Sequence, residues 1–172
     1  EYTEIGDIVV DPFMGSGTTI VEAIMSGRIG VGVDINPVAY LISKAKTTPI
    51  KPDKLELEFN SLLENIEKTK KSKIPQNERI DYWFPKAIKE KLAIIFSNIN
   101  EIKNQEIKIF FLCGFSNILK NCSIWLQKSN KPTRDYEKIL PEPLDIFKRQ
   151  MKFTLKRNTE FYAKVPVNNK PI

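Results

Sequence analysis

The spacing of apolar residues changes character near Pro49. Before it, short continuous apolar runs alternate with runs at helical spacing. Ile8-Val9-Val10, bounded by Gly6-Asp7 and by the Gly-rich stretch Gly15-Ser16-Gly17, predicts a buried parallel strand. Ile20, Val21, Ala23, Ile24 and Met25 then supply the apolar face of a helix, with Thr18 and Thr19 placed as its caps and Gly27 ending it. A second strand, Ile29-Gly30-Val31-Gly32-Val33, closes at Asp34, and Pro37 suits the first turn of another helix through Ala39, Tyr40, Leu41, Ile42 and Ala45. Strand, helix, strand, helix in this order predicts the opening of a doubly wound α/β sheet.

Beyond Pro49 the alternation of strands and helices stops. Leu55, Leu57, Phe59, Leu62, Leu63 and Ile66 fit one helix, and Ile88, Leu92, Ile95, Phe96 and Ile99 fit a second with Pro85 near its start. The stretch from Ile107 to Leu119 is apolar almost throughout and suits a buried helix or a buried strand. Lys68 to Gln76 reads as a polar linker and Asn130 to Pro143 as irregular. A helix is expected around Leu144 to Lys156, before Pro166 and Pro171 loosen the tail. The expected architecture is α/β: a β-α-β-α segment over residues 1–50, then a mainly helical region over 51–172. No internal repeat is visible.

Composition narrows the chemistry. A chain of 172 residues with 41% hydrophobic content has enough apolar material for a packed core. It contains no apolar run near the roughly 18–20 residues that span a bilayer and no basic-then-apolar leader, so a soluble, cytoplasmic protein is expected. Cys113 and Cys122 form no CxxC pair and histidine is absent, which argues against a metal site and a disulfide scaffold and removes the commonest general base. Charge is divided unevenly. Residues 1–50 carry 3 Lys/Arg against 6 Asp/Glu, whereas residues 51–172 carry 24 against 15. The basic region is the candidate for a polyanion partner, although a biased genome also produces Lys-rich chains.

The most informative segment is Asp11-Pro12-Phe13-Met14-Gly15-Ser16-Gly17-Thr18-Thr19, set between a strand and a helix. Small residues there let the backbone turn sharply and approach a ligand, while the helix presents unsatisfied N–H groups. Three readings compete. A phosphate-cradling P-loop needs a Lys before Thr18 or Thr19, and none is there; a nicotinamide-type GxGxxG needs Gly where Ile20 stands. A methyl-donor site needs a carboxylate at the end of each of the first two strands. Asp11 and Asp34 meet that need, Asp34 lying at about the interval from the loop at which a carboxylate reaches ribose hydroxyls.

DPFMGSGTT followed by GVDINPVAY resembles motifs I and II of the N4-cytosine and N6-adenine DNA methyltransferases, over residues 5–47. The resemblance implies a Rossmann-like sheet that binds S-adenosyl-L-methionine, with Phe13, Gly15, Ser16, Gly17 and Thr18 lining the methionine end. Asp34 would hold the ribose, and Asp11 would orient the loop or receive the donor's ammonium. It further implies methylation of an exocyclic amine in double-stranded DNA, within a restriction–modification system, with adenine and cytosine both open. The family's second motif, [D/N/S]-P-P-[Y/F/W], positions the target amine and stacks on the flipped base. It does not occur in this sequence, so no catalytic residue is assigned. A second polypeptide, or a C-terminal continuation, is expected to supply it. The competing expectations are a remnant that holds cofactor or DNA without catalysis, and an RNA methyltransferase, which the DPFMGSGTT string disfavours.

Tyr82-Trp83-Phe84 and the stretch from Cys122 to Pro132 are similar to the substrate-facing region that some members insert before the catalytic motif. Trp125, Lys128, Lys131 and Arg134 are the candidate DNA contacts, by stacking and by phosphate neutralisation. The plainer reading makes Trp83 and Trp125 core aromatics and the lysines a solvated face.

Overall fold

The computed structural model describes residues 2–166. Two strands, β1 (Ile8–Asp11) and β2 (Ile29–Gly32), flank helix α1 (Thr18–Met25), and α2 (Pro37–Thr47) follows. Five further helices complete the chain: α3 (Pro52–Lys68), α4 (Glu78–Trp83), α5 (Lys86–Asn100), α6 (Gln105–Cys122) and α7 (Pro143–Lys164). The architecture is thus α/β, with a small two-stranded parallel sheet and mainly helical content.

The strands pair in parallel from Ile8↔Ile29 to Asp11↔Gly32, so alternate residues of both strands share a face. Val9, Asp11, Gly30 and Gly32 lie on the face that α1 covers. The approach is close, because a Cβ on Gly30 would stand 2.7 Å from Ile20 Cγ2. The opposite face carries Ile8, Val10, Ile29 and Val31, which remain 63%, 61%, 52% and 42% exposed. The expectation of a buried strand is therefore corrected. Its residues are those of a buried parallel strand, but among the described residues a helix covers one face only, whereas parallel sheets are ordinarily covered on both.

The core lies in the helical region. Leu55 of α3, Ile95 and Ile99 of α5, Ile107, Phe111 and Ile118 of α6, and Phe147 and Met151 of α7 are all buried to within 1%. Burying such side chains stabilises by about 1.5–3 kcal/mol each relative to leaving them exposed. The apolar run from Ile107 resolves as helix, and α6 sits centrally, packed against α2, α5 and α7. Phe59 of α3 joins the neighbouring helices through its ring, with Phe59–Phe111 centroids 6.0 Å apart and Phe59–Phe147 centroids 6.4 Å apart.

Three boundaries differ from the sequence expectation. Helix α1 is capped by Gly17 in the left-handed conformation, with no side-chain cap, and not by Thr18 or Thr19, which are already helical. Helix α4 was not anticipated; it is one and a half turns long and is capped by Asn77, whose side chain accepts from Arg79 N–H. Helix α7 runs eight residues past Lys156, because the polar string Lys156-Arg157-Asn158-Thr159-Glu160 hides a buried position: Asn158 is 6% exposed. Pro37 stands in the first turn of α2, as expected, and Asn36 caps the helix ahead of it. Pro171 lies outside the described residues.

Candidate functional site

The loop between β1 and α1 is shaped by backbone constraints before any side chain acts. Gly15 and Gly17 both have positive φ, +50° and +77°, a region that side chains with a Cβ disfavour. At Gly17 space is also short, since an added Cβ would fall 2.6 Å from Ser43 Oγ. The turn is closed by Gly17 N–H donating to Met14 C=O at 2.7 Å and joined to the end of β2 by Met14 N–H donating to Val33 C=O at 3.0 Å. Its result is that α1 starts behind the loop with no capping side chain and no acidic residue in its first turn. The N–H groups at that end and the positive end of the helix dipole have no side chain set against them.

The two carboxylates named from sequence serve this loop in different ways. Asp11 accepts from Phe13 N–H at 3.0 Å and so fixes the first bend. Asp34 bridges the two halves of the site: one oxygen accepts from Gly15 N–H at 2.9 Å and the other from Asn36 N–H at 2.8 Å. A carboxylate offers about four acceptor positions, so roughly one on each Asp34 oxygen remains for an incoming hydroxyl. The Phe13 ring stands beside the loop 88% exposed. Ser16 and Thr18 are exposed along the same rim. Asp11, Phe13, Gly15, Ser16, Gly17, Thr18 and Asp34 are thus brought together at the C-terminal ends of the two strands.

Sequence reasoning missed two residues of this site, both on α2. Ser43 Oγ donates to Gly15 C=O at 2.8 Å, and Lys46 Nζ donates to Ser16 C=O at 2.8 Å. They brace the loop from behind, and Lys46 adds a positive charge to it. Their signal was present, since Ala39, Ser43 and Lys46 recur at the four- and three-residue spacing of a single helix face. The apolar pattern of α2, through Ala39, Tyr40, Leu41, Ile42 and Ala45, passes over both. A cleft of about 600 Å³ between α1, α2, α6 and α7 adjoins the loop only through Lys46 and is otherwise lined by residues such as Phe110, Phe153 and Phe161.

The second group of candidates falls on a separate structure. Residues 124–135 form a hairpin, with Leu126 N–H donating to Thr133 C=O at 2.9 Å and Asp135 N–H to Ile124 C=O at 2.7 Å. Trp125 and Arg134 face each other across it. Trp83 and Trp125 are half-buried and outside the core cluster; they stack on each other with centroids 4.9 Å apart and planes 25° apart. The reading of both as core aromatics is corrected accordingly: each covers the other. Lys128 and Lys131 are exposed at the hairpin tip. The hairpin's base is held by Lys138, whose ammonium donates to the carbonyls of Lys120, Ser123 and Trp125 at 3.2, 2.5 and 3.1 Å. Burial holds the Lys138 pKa below the usual lysine range, and burial pushes the neighbouring Cys122 thiol up to about 11.

Comparison with known proteins adds to this geometry. The N6/N4 methyltransferase family model, described as DNA methylase, matches residues 1–45. The Type II methyltransferase M.MvaI of Kocuria varians is 38% identical over 146 residues, which is 80% of this chain and 31% of that protein. The Type II methyltransferase M.MjaII of Methanocaldococcus jannaschii is 42% identical over 69 residues, 40% of this chain and 12% of the relative. M.BsoBI of Geobacillus stearothermophilus, also a Type II methyltransferase, is 34% identical over 74 residues, 33% of this chain and 14% of its own length. The chain therefore spans less than a third of each of these relatives. The first match covers too much of the chain to be confined to the loop, and so extends into the helical region. No solved structure matches.

Proposed function

We propose, from the likeness to DNA amino-methyltransferases, that the chain belongs to that family and that residues 1–50 bind S-adenosyl-L-methionine for methylation of an exocyclic amine in DNA. The observation that carries this reading is the Asp34 carboxylate, anchored by the N–H groups of Gly15 and Asn36 with acceptor capacity to spare. A ribose diol presents two donors at the spacing of the two oxygens of one carboxylate. The donor set of the loop fits the rest of the cofactor: helix N–H groups and Lys46 favour its carboxylate, Asp11 offers a partner for its ammonium, and the exposed Phe13 ring can close over it. When bound, the cofactor supplies the methyl group as a sulfonium. The residues of this chain hold it, orient it and shield it on one side.

Two further parts of the reading follow from the same site. The β-α-β-α segment is proposed as one portion of a Rossmann-like sheet, whose uncovered apolar face takes further polypeptide. That polypeptide, on this protein's own continuation or on a second chain, carries the [D/N/S]-P-P-[Y/F/W] motif and with it the acceptor pocket. The basic region, residues 51–172, faces the DNA, through Trp125, Lys128, Lys131 and Arg134 among others. The whole enzyme acts in the cytoplasm as the modifying component of a restriction–modification system.

Titration calorimetry tests the cofactor reading. S-adenosyl-L-methionine is expected to bind the chain, and Asp34→Ala to weaken binding about ten-fold or more, since charged hydrogen bonds lost on truncation are worth about 1.5–3 kcal/mol. An Asp34→Ala protein that melts cooperatively and binds with unchanged affinity removes Asp34 from the site. Failure of the intact chain to bind the cofactor at all sinks the reading.

A further inference from the structure

We propose that Arg134, packed against the rings of Tyr82 and Tyr136, is a preset contact for the phosphate backbone of duplex DNA, with Lys128 and Lys131 on the same hairpin as its companions. The inference deepens the DNA-methyltransferase reading and rests on it for the identity of the polyanion. The Arg134 guanidinium carbon lies 3.9 Å from the centre of the Tyr82 ring and 4.9 Å from that of Tyr136. A ring stacked on a planar guanidinium meets its face and leaves the in-plane N–H edge available. Arg134 makes no ion pair and no side-chain hydrogen bond among the described residues, and no buried side-chain nitrogen there lacks a partner. Its N–H edge therefore faces solvent.

The support behind this edge is rigid. The hairpin is tied to α4 by Ile124 N–H donating to Trp83 C=O at 3.0 Å and by the stacked pair Trp83–Trp125, and its base is latched by the three carbonyl contacts of Lys138. The tip is fixed by Ser129 Oγ, which donates to Lys131 C=O at 2.8 Å and accepts from Lys131 N–H at 3.2 Å. An arginine side chain restrained by ring contacts loses less entropy when it takes a ligand. The fork of N–H groups matches two oxygens of one phosphate.

Charge points the same way. Residues 120–138 carry five cations against two carboxylates. Of the carboxylates nearby, Asp135 accepts from Glu137 N–H at 3.1 Å and Asp81 pairs with Lys89, whereas the Glu137 carboxylate is exposed and offsets part of the positive charge. Lys128, Lys131 and Arg134 fall at three-residue intervals, all on the hairpin's tip and return strand, and a duplex presents phosphates densely enough to meet several at once. Tyr136, 71% exposed, offers an apolar ring beside them for the sugar.

Fluorescence anisotropy of a labelled DNA duplex, measured with the full chain across a range of salt, tests the inference. Arg134→Ala is expected to weaken binding about ten-fold or more and to reduce the slope of log affinity against log salt by roughly one. Tyr82→Leu is expected to weaken binding while leaving the slope unchanged, because it removes orientation and not charge. The double variant Lys128→Gln, Lys131→Gln changes only the exposed tip and is expected to reduce the slope by about two. Wild-type affinity and slope in an Arg134→Ala protein with an unchanged melting temperature overturn the proposal, as does an unchanged slope in the tip variant. Equal competition by polyglutamate at matched charge overturns the assignment to DNA. Absence of duplex binding by the intact chain removes the DNA surface altogether, while the cofactor titration reports separately on the reading it rests on.

Discussion

At the scale of single residues, Gly17 and Cys122 show how narrowly local conditions are set. Two effects act at Gly17, and Gly6 separates them: both have positive φ, +77° and +93°, but a Cβ at Gly6 would meet nothing within 4 Å. Gly6→Ala is thus expected to cost only the backbone conformation, about 1–2 kcal/mol. Gly17→Ala is expected to cost that and more, because Ser43 Cβ and Cα, 2.9 and 3.1 Å from the new atom, cannot withdraw without shifting α2. Urea unfolding of the two variants checks the order, and equal losses would mean that α2 yields freely. Cys122, fully buried, has its thiol pKa pushed from 9.0 to about 11, first by burial, with Lys138 opposing and Glu142 adding. The folded pKa is above the unfolded one, so the stabilisation is fully present below pH 9 and is lost as pH rises toward about 11. Stability should fall more steeply over that window in the wild type than in Cys122→Ala. Parallel pH profiles of the two proteins would remove the thiol from the account.

At the scale of elements, the part legible in the sequence was the part where one signal dominates. Asp11 to Thr19 combines glycines, a flanking apolar run and a following helix face, and Pro37 marks a helix start; the strand–loop–helix order and the start of α2 were legible, while the cap of α1 and the exposure of β1 were not. What stayed hidden depends on contacts distant in sequence. Ser43 and Lys46 matter only because α2 returns against the loop, and the Trp83–Trp125 pair forms only because the hairpin folds back on α4. Asn158 is the clearest case. It lies in a polar string, yet its side chain accepts from Ile50 N–H at 3.1 Å and donates to Ile50 C=O at 2.7 Å, joining α7 to the segment that leaves α2. Asn158→Ala leaves two buried backbone groups of Ile50 unpaired, each expected to cost about 1–3 kcal/mol. Hydrogen exchange provides the local readout: the Ile50 amide should lose protection before the amides of α5 do. Equal loss at Ile50 and across α5 would mean that Asn158 contributes to global stability without acting as a joint.

At the scale of the whole molecule, the loop between β1 and α1 is formed but one side of its sheet is bare. Ile8, Val10, Ile29 and Val31 form an apolar face between 42% and 63% exposed, continued by Val33 at 57%. Neither outer edge of the two-stranded sheet is paired among the described residues. Two-stranded sheets have little stability alone, and open apolar faces invite association. The absent acceptor motif and the bare face point to one requirement. Methyl transfer to an exocyclic amine needs the sulfonium aligned with a nitrogen freed from ring conjugation, and positioning supplies much of the barrier reduction, so a donor pocket without an acceptor pocket should bind and not turn over. The chain alone is expected to incorporate no labelled methyl group into duplex DNA above background, and addition of a polypeptide carrying [D/N/S]-P-P-[Y/F/W] from the same system to restore incorporation. Ile8→Arg with Ile29→Arg probes the face itself, because both residues lie at the strand ends remote from the loop. That variant should bind S-adenosyl-L-methionine normally yet fail to respond to the added polypeptide. Methylation by the unsupplemented chain would place catalytic groups within residues 1–172, with Asp81 and Asp135 beside their aromatic neighbours the first to be substituted. Full restoration in the Ile8→Arg, Ile29→Arg variant would show that the partner docks elsewhere.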